Sequence, residues 1–458
     1  MKNNIIYSIL IVLLIYQATA AGQSTGYLQL DQLTLDDAVN WSLNNSPSLI
    51  MKRLKLQKDE QELSRIRRSK TPDIYLSGDF RRNLIIPTTP IPASIMDPAA
   101  DPGEMLYMKF NTGWNSAAGI NLSLDIFNPA ASRQTSEQKM QNRISNYDLQ
   151  ISENDLQAEV AKAYAACVIS QDQLESFRDD TVFYSKSLAD AELLYKKNQI
   201  SLTDRNNIVI ACNTSLMQYH NAENVLSEAK ANLLYLLGEE VSPGNLASLH
   251  LSENIPALYR KMSPETNEFI NSSHVTGKGS DLSRQSEIIA LAQSRVKSSQ
   301  LKSAPSLSLK GFYGSNYYSN DFNPGNIDYW HGNSYLAASL KIPLAQAFTL
   351  KKETSQFRLQ ENIERENLRD MQNRKSKDLI EAADKLAVSV KEYEITGKNY
   401  ELSVQNLDAS RAQLYKEYLQ EKDLLEEQVR CRNTYQKFLE AAYNVFINTI
   451  ELQKLESE

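Results

Sequence analysis

Residues 195–204 read YKKNQISLTD, the one interruption in a helical pattern that meets no Pro or Gly between Pro129 and Gly238. Asn198 can supply the left-handed residue that stops an incoming helix. Ser201 or Thr203 can cap an outgoing one, and Asp204 is favourable in its first turn. So short a connection makes the two helices antiparallel neighbours, and the stretch becomes the narrow tip of a long hairpin.

Upstream of the tip, two sets of positions recur every seven residues. One is Leu149, Leu156, Ala163, Ser170, Phe177, Tyr184 and Ala191; the other is Glu153, Val160, Cys167, Leu174, Thr181, Leu188 and Tyr195. Interleaved four–three spacing of mostly apolar or small residues is a coiled-coil seam. Adding 219 to the second set gives Gln372, Leu379, Leu386, Tyr393, Tyr400, Leu407 and Leu414, another seam. The same offset carries Asp204 to Asp423, Cys212 to Cys431, Tyr219 to Phe438 and Ala222 to Ala441. The chain is therefore a tandem repeat with a period of about 220 residues. Its parts read as a leader (1–20), a first repeat (21–238), a linker rich in Ser, Asn, Pro and Gly (239–280) and a second repeat (281–458).

Each repeat has the same order of parts. A first helix, 34–70 or 281–303, runs to Pro72 or Pro305, where proline blocks its continuation. Period-two alternation follows. In PDIYLSGDF (72–80), Ile74, Leu76 and Phe80 share one face, and Tyr75, Ser77 and Asp79 the other. WNSAAGINLSLDIF (114–127), PSLSLKGFY (305–313) and SYLAASLKI (334–342) alternate in the same way. These are four strands with one apolar and one polar face. Aromatic residues gather at their expected ends, among them Tyr107, Trp114, Phe127, Tyr317, Trp330 and Tyr335. Length, alternation and aromatic clusters suit the wall of a transmembrane β-barrel; a soluble sandwich alternates too. Four strands cannot close a barrel, and open edges are not tolerated in lipid. Membrane insertion thus requires oligomerisation; three copies supply twelve strands, an even number that closes. Helices of 130–195 and 346–414 complete the repeats, at 1.5 Å per residue about 100 Å each, with return helices over 203–237 and 423–455.

Composition narrows the function. The 458 residues carry a formal charge of −7 with both signs interleaved, leaving no basic patch for nucleic acid. Lys2, the apolar run 5–16 and the small residues Ala18 and Ala20 read as a secretory signal peptide, so the mature chain is exported. No later stretch is apolar enough for a membrane-spanning helix. The three cysteines, Cys167, Cys212 and Cys431, sit at core-type positions, and the four histidines show no metal-ligand spacing. No nucleophile, phosphate-binding or metal motif points to an enzyme or a cofactor.

The tip resembles the Y-x-x-G-x-x-S-x-x-D turn of TolC-like outer-membrane efflux proteins, through Tyr195, Asn198 in the glycine position, Ser201 and Asp204. The strand-to-helix passages LSLDIFNPAASR (122–133) and SLKIPLAQA (339–347) are similar to that family's as well. The resemblance implies a mainly α, tandem-repeat fold: a homotrimer with a 12-stranded β-barrel in the outer membrane and an α-barrel of long coiled-coil helices through the periplasm. It implies a passive exit duct of a tripartite efflux or type I secretion system, in contact with outer-membrane lipid. A periplasmic adaptor would recruit it, and an inner-membrane efflux pump or ABC exporter would energise it. By the same resemblance Asp423 and Glu426, with Asp204, belong to the periplasmic gate. Asn198, Ser201, Thr203, Glu417 and Leu419 belong to the hairpin tips that an adaptor contacts. Glu417 stands where the family has glycine, and Leu419 where some members have a basic residue. An exported coiled coil with a structural or adaptor role, outside any membrane, is the alternative; it leaves the paired amphipathic strands unexplained.

Overall fold

The computed structural model describes residues 28–68, 70–262, 279–344, 346–414 and 421–457. The expected signal peptide and the tip residues Glu417 and Leu419 lie outside them. Helix, two long strands, long helix and return helix occur twice in chain order. The first helix is in fact two, α1 (Leu35–Asn45) and α2 (Pro47–Arg68). The expected single helix over 34–70 fails at Ser46, whose ψ of 124° is extended because the ring of Pro47 excludes the helical region from the residue before it.

Strand β1 (Asp73–Arg82) follows, then a hairpin of β2 (Thr89–Pro92) and β3 (Met105–Met108), then β4 (Trp114–Phe127). Helix α3 (Pro129–Lys196) starts abruptly: Asn128 Oδ1 accepts from the Ala131 amide at 3.1 Å, and Pro129 takes the first helical position. Helix α4 (Leu202–Leu237) returns and ends at Gly238, whose φ of 78° is left-handed. A Cβ at Gly238 would meet the Asn45 carbonyl oxygen at 2.7 Å and Pro47 Cδ at 2.9 Å, so the α1–α2 break is seated on this cap.

The short helices α5 (Pro243–Ser248) and α6 (Ile255–Met262) come next. The second half comprises α7 (Ser280–Leu301), β5 (Ser306–Ser319), β6 (Trp330–Lys341), α8 (Gln346–Leu414) and α9 (Glu421–Ser457).

The largest core lies midway along α3, where Val160, Tyr164 and Cys167 meet Leu233 and Leu237 of α4, Phe446 of α9, and Leu249, Ile255 and Leu258. The N-terminal strap closes this level. Leu33 N donates to the His250 carbonyl at 3.0 Å, and Tyr164 Oη donates to the Leu33 carbonyl at 2.9 Å. From there α3 and α9 run antiparallel. Lys162 pairs with Glu451 at 2.5 Å and Gln173 Nε2 donates to Gln436 Oε1 at 2.8 Å, in one continuous register. The first heptad set is buried from Leu156 to Ala191. The second is buried at Val160 and Cys167 but half-buried at Leu174, Thr181 and Leu188 and exposed at Tyr195. Within one chain that second stripe lacks a full partner towards the tip.

The four long strands form one antiparallel sheet in the order β1-β4-β5-β6, leaving an open edge on β1 and on β6. β5 and β6 are longer than their alternation suggests, because pairing with the 14-residue β4 recruits the Gly-, Ser- and Asn-rich stretch 314–319. Ile74, Leu76, Ile120, Tyr313, Leu336 and Leu340 share one face and are all exposed. Phe80, Trp114, Phe322 and Trp330 cluster at the strand ends remote from the helices. Tyr335, expected with them, lies mid-strand on the polar face, opposite Phe312.

Gly119 and Gly314 face each other across β4 and β5. A Cβ on Gly314 would lie 2.3 Å from the Ala118 carbonyl oxygen, whereas one on Gly332 of β6 would meet nothing within 4 Å. Gly314→Ala should therefore lower stability by about 2 kcal/mol or more, read as denaturation midpoint in detergent, and Gly332→Ala should change it little.

Candidate functional site

At the hairpin tip, Asn198 has a φ of 59°, the only positive φ outside glycine among the described residues. Its amide donates to the Tyr195 carbonyl at 2.9 Å, and Gln199 N donates to the Leu194 carbonyl at 2.9 Å. These bonds satisfy carbonyls that the end of a helix leaves open. Ser201 forms a capping box: its Oγ accepts from the Asp204 amide at 3.1 Å, and its own amide donates to Asp204 Oδ2 at 3.3 Å. Thr203 is exposed and is not the cap. Arg205 ties the two arms together by donating to Glu192 Oε1 at 2.7 Å.

Between this tip and α9 lies a groove of about 1270 Å³. Leu194, Ile200, Ile208, Leu425 and Val429 line it, with Asp204 and Glu426 at its polar margin. The structure thus brings two of the three expected gate carboxylates, from different repeats, to one groove. Asp423 sits one turn nearer the start of α9, exposed.

Above the groove a polar cluster joins all four long helices. Asp180 of α3 is 3% exposed. Gln428 of α9 donates to its Oδ1 at 2.8 Å, and Arg432 Nη1 lies 3.9 Å from its Oδ2. Arg432 also donates to Gln218 of α4 at 2.8 Å, and Arg411 of α8 donates to Gln428 Oε1 at 3.3 Å. Oδ2 of Asp180 is buried without a hydrogen bond. Burial pushes the Asp180 carboxyl above the usual carboxylate range; the Gln428 hydrogen bond and the Arg432 charge oppose this, and Asp179 reinforces it. Sequence reading missed the cluster, although Asp180 falls between Phe177 and Tyr184 at three- and four-residue steps. That spacing marks it as a seam position.

Cys167 and Cys431 are buried and Cys212 half-buried. Burial pushes the Cys167 thiol up to about 12, leaving almost no reactive thiolate at neutral pH. No group of three His, Cys, Asp or Glu side chains that could hold a metal ion occurs among the described residues. No helix among them is long and apolar enough to cross a membrane.

A four-stranded sheet with one apolar face, joined at one end to paired helices of some 68 residues, defines the class of architecture: the chain has the fold of TolC-like outer-membrane channels. It is similar over 96% of its length to 98% of a membrane protein from Pseudomonas aeruginosa, with a TM-score of 0.71 and 14% identity. Likewise 96% of it matches 90% of the CmeC outer membrane channel of Campylobacter jejuni, TM-score 0.73 and 13% identity. Of the outer membrane protein VceC from Vibrio cholerae, 96% matches 92% of this chain, TM-score 0.68 and 13% identity. No protein-family model and no curated protein matches the sequence.

A carboxyl whose folded pKa is raised stabilises the fold through its protonated form. That contribution is complete below the unfolded value of about 3.9 and disappears as pH rises through the folded value. Asp180→Asn should therefore flatten the pH dependence of stability above about pH 4. At pH 7 the variant should be at least as stable as the parent, measured by denaturant titration; a profile parallel to the parent's would place the titration elsewhere.

Proposed function

We propose that the chain is one protomer of a passive exit duct in the outer membrane. Three copies close the sheet into a 12-stranded barrel and the helices into a tube through the periplasm. The observation that carries the reading is the sheet: Ile74, Leu76, Ile120, Tyr313, Leu336 and Leu340 of its apolar face are exposed, and both edges are open. Lipid accepts such a face, and only closure accepts such edges. The surface agrees. Ile210 and Met217 on α4, and Val388, Ile395 and Leu402 on α8, repeat at seven-residue steps and are exposed. These are half-seams of a coiled coil, and neighbouring copies of the same chain complete them.

In this reading the aromatic cluster around Trp114 and Trp330 marks the outer rim, and the hairpin tips point to the inner membrane. A periplasmic adaptor grips the tip region around Asn198, Ser201 and Thr203, and Glu417 and Leu419 belong to the matching tip of the second repeat. An inner-membrane pump or ABC exporter supplies the energy. Asp204, Asp423 and Glu426, in three copies, line the constriction and attract cations. The fold neighbours that are outer membrane channels support the exit-duct reading.

The alternative of an exported coiled coil outside the membrane predicts a protein that dissolves without detergent. Fractionation should instead recover a heat-resistant trimer from outer-membrane extract, and the purified protein should conduct in planar bilayers. Replacing Asp423 and Glu426 by Ala should weaken block by multivalent cations about tenfold, with open conductance retained. Unchanged block would remove these carboxylates from the pore.

A further inference from the structure

One row of side chains crosses the polar face of the sheet without interruption. Tyr75 is paired with Asn121, Asn121 with Phe312, and Phe312 with Tyr335. The rings of Phe312 and Tyr335 stack, with centroids 5.9 Å apart and planes 25° from parallel. The end of the Phe312 ring lies over the Gly119–Gly314 pair, where a Cβ on either glycine would come within 2.8 or 2.9 Å of its Cζ. The ring therefore leans along the wall. Tyr75 and Tyr335 remain 49% and 55% exposed.

The neighbours of this row are polar. Asn121 Nδ2 donates to Ser77 Oγ at 2.6 Å, and Asn333 and Asn316 follow on β6 and β5. Lipid contact is left to the opposite face, so exposed aromatic rings here serve neither lipid nor a packed core. Charge on this face is balanced: Asp73, Asp79 and Asp125 are matched by Arg81, Lys310 and Lys341. The face therefore sorts weakly by sign, and the open π-surfaces are its distinctive chemistry.

We propose that Tyr75, Phe312 and Tyr335 form a stacking band on the water-facing wall of the strand region, which binds planar aromatic molecules in transit and lengthens their passage. Offset stacking on exposed rings is the attraction, with a further gain for aromatic cations over the ring faces. The proposal rests on the exit-duct reading, which makes the polar face the lumen. It assigns the duct a cargo preference that its charges do not.

The test is single-channel recording of the full-length protein in planar bilayers, with ethidium as a planar aromatic cation and tetraethylammonium as an aliphatic cation of equal charge. Ethidium should produce resolvable residence events and tetraethylammonium none. The double variant Tyr75→Thr/Tyr335→Thr, with threonine chosen because it suits strands, should shorten ethidium residence by at least about fivefold at unchanged open conductance. Tyr75→Thr alone, at the sheet edge, should shorten it in part. Tyr313→Thr, on the opposite face, should leave it unaltered. Equal behaviour of the two cations, or undiminished ethidium residence in both Tyr75 variants, overturns the stacking band while the duct stands. A parent protein that never conducts overturns the duct and this proposal with it.

Discussion

A sheet with one oily face and two unpaired edges cannot stand alone in water or in lipid, and the rest of this structure depends on that constraint. The alternation Ile74–Leu76 on β1 and Leu336–Leu340 on β6 directs aliphatic side chains outward on the same face. Order β1-β4-β5-β6 leaves the backbone donors and acceptors of the two outer strands open along one side. Lipid satisfies the first requirement and forbids the second. In the proposed duct further strands of the same design resolve both, and neighbouring copies would cover the exposed heptad stripes on α4 and α8.

Within one chain, stability is concentrated where the helices are midway to the tip. The N-terminal strap, the segment around Leu249–Leu258 and the helices α3, α4 and α9 share a core there, with Tyr393 of α8 packed against it. Below it α3 and α9 meet also through polar groups, Gln173 with Gln436 and Asp180 with Gln428 and Arg432. Apolar contact tolerates sliding, while hydrogen bonds between named groups do not. The polar cluster therefore adds to the packing that holds the two hairpins in register, with Asp204 and Glu426 on one groove.

Much of this was legible from local pattern. The first heptad set marked the buried stripe of α3, because a seam that packs within one chain has one periodicity along its length. At the tip Asn198 was legible as the left-handed stop and the cap was narrowed to Ser201 or Thr203, of which the fold uses Ser201 with Asp204, since both are local backbone chemistry. Other features needed partners distant in sequence. The break at Ser46–Pro47 was overlooked inside a convincing helix, and its seat on Gly238 joins positions almost two hundred residues apart. The ends of β5, the β2–β3 hairpin and the mid-strand position of Tyr335 follow from pairing, which residue type alone does not specify. Of the candidate site, the carboxylates were named by resemblance, whereas the Asp180–Arg432 cluster was not seen.

By itself the amino-acid order determined the inventory: two repeats, each with amphipathic strands and a helix far too long for a compact domain, and a tight turn in the first of them. Period, caps and prolines act over a few residues, and so can be read from a few residues. Which carboxylates share a groove, which arginine lies beside Asp180, and which aromatic rings line one row across the sheet were decided only in three dimensions. Each depends on the register between segments far apart in the chain, and register is set by the summed packing of whole helices and strands.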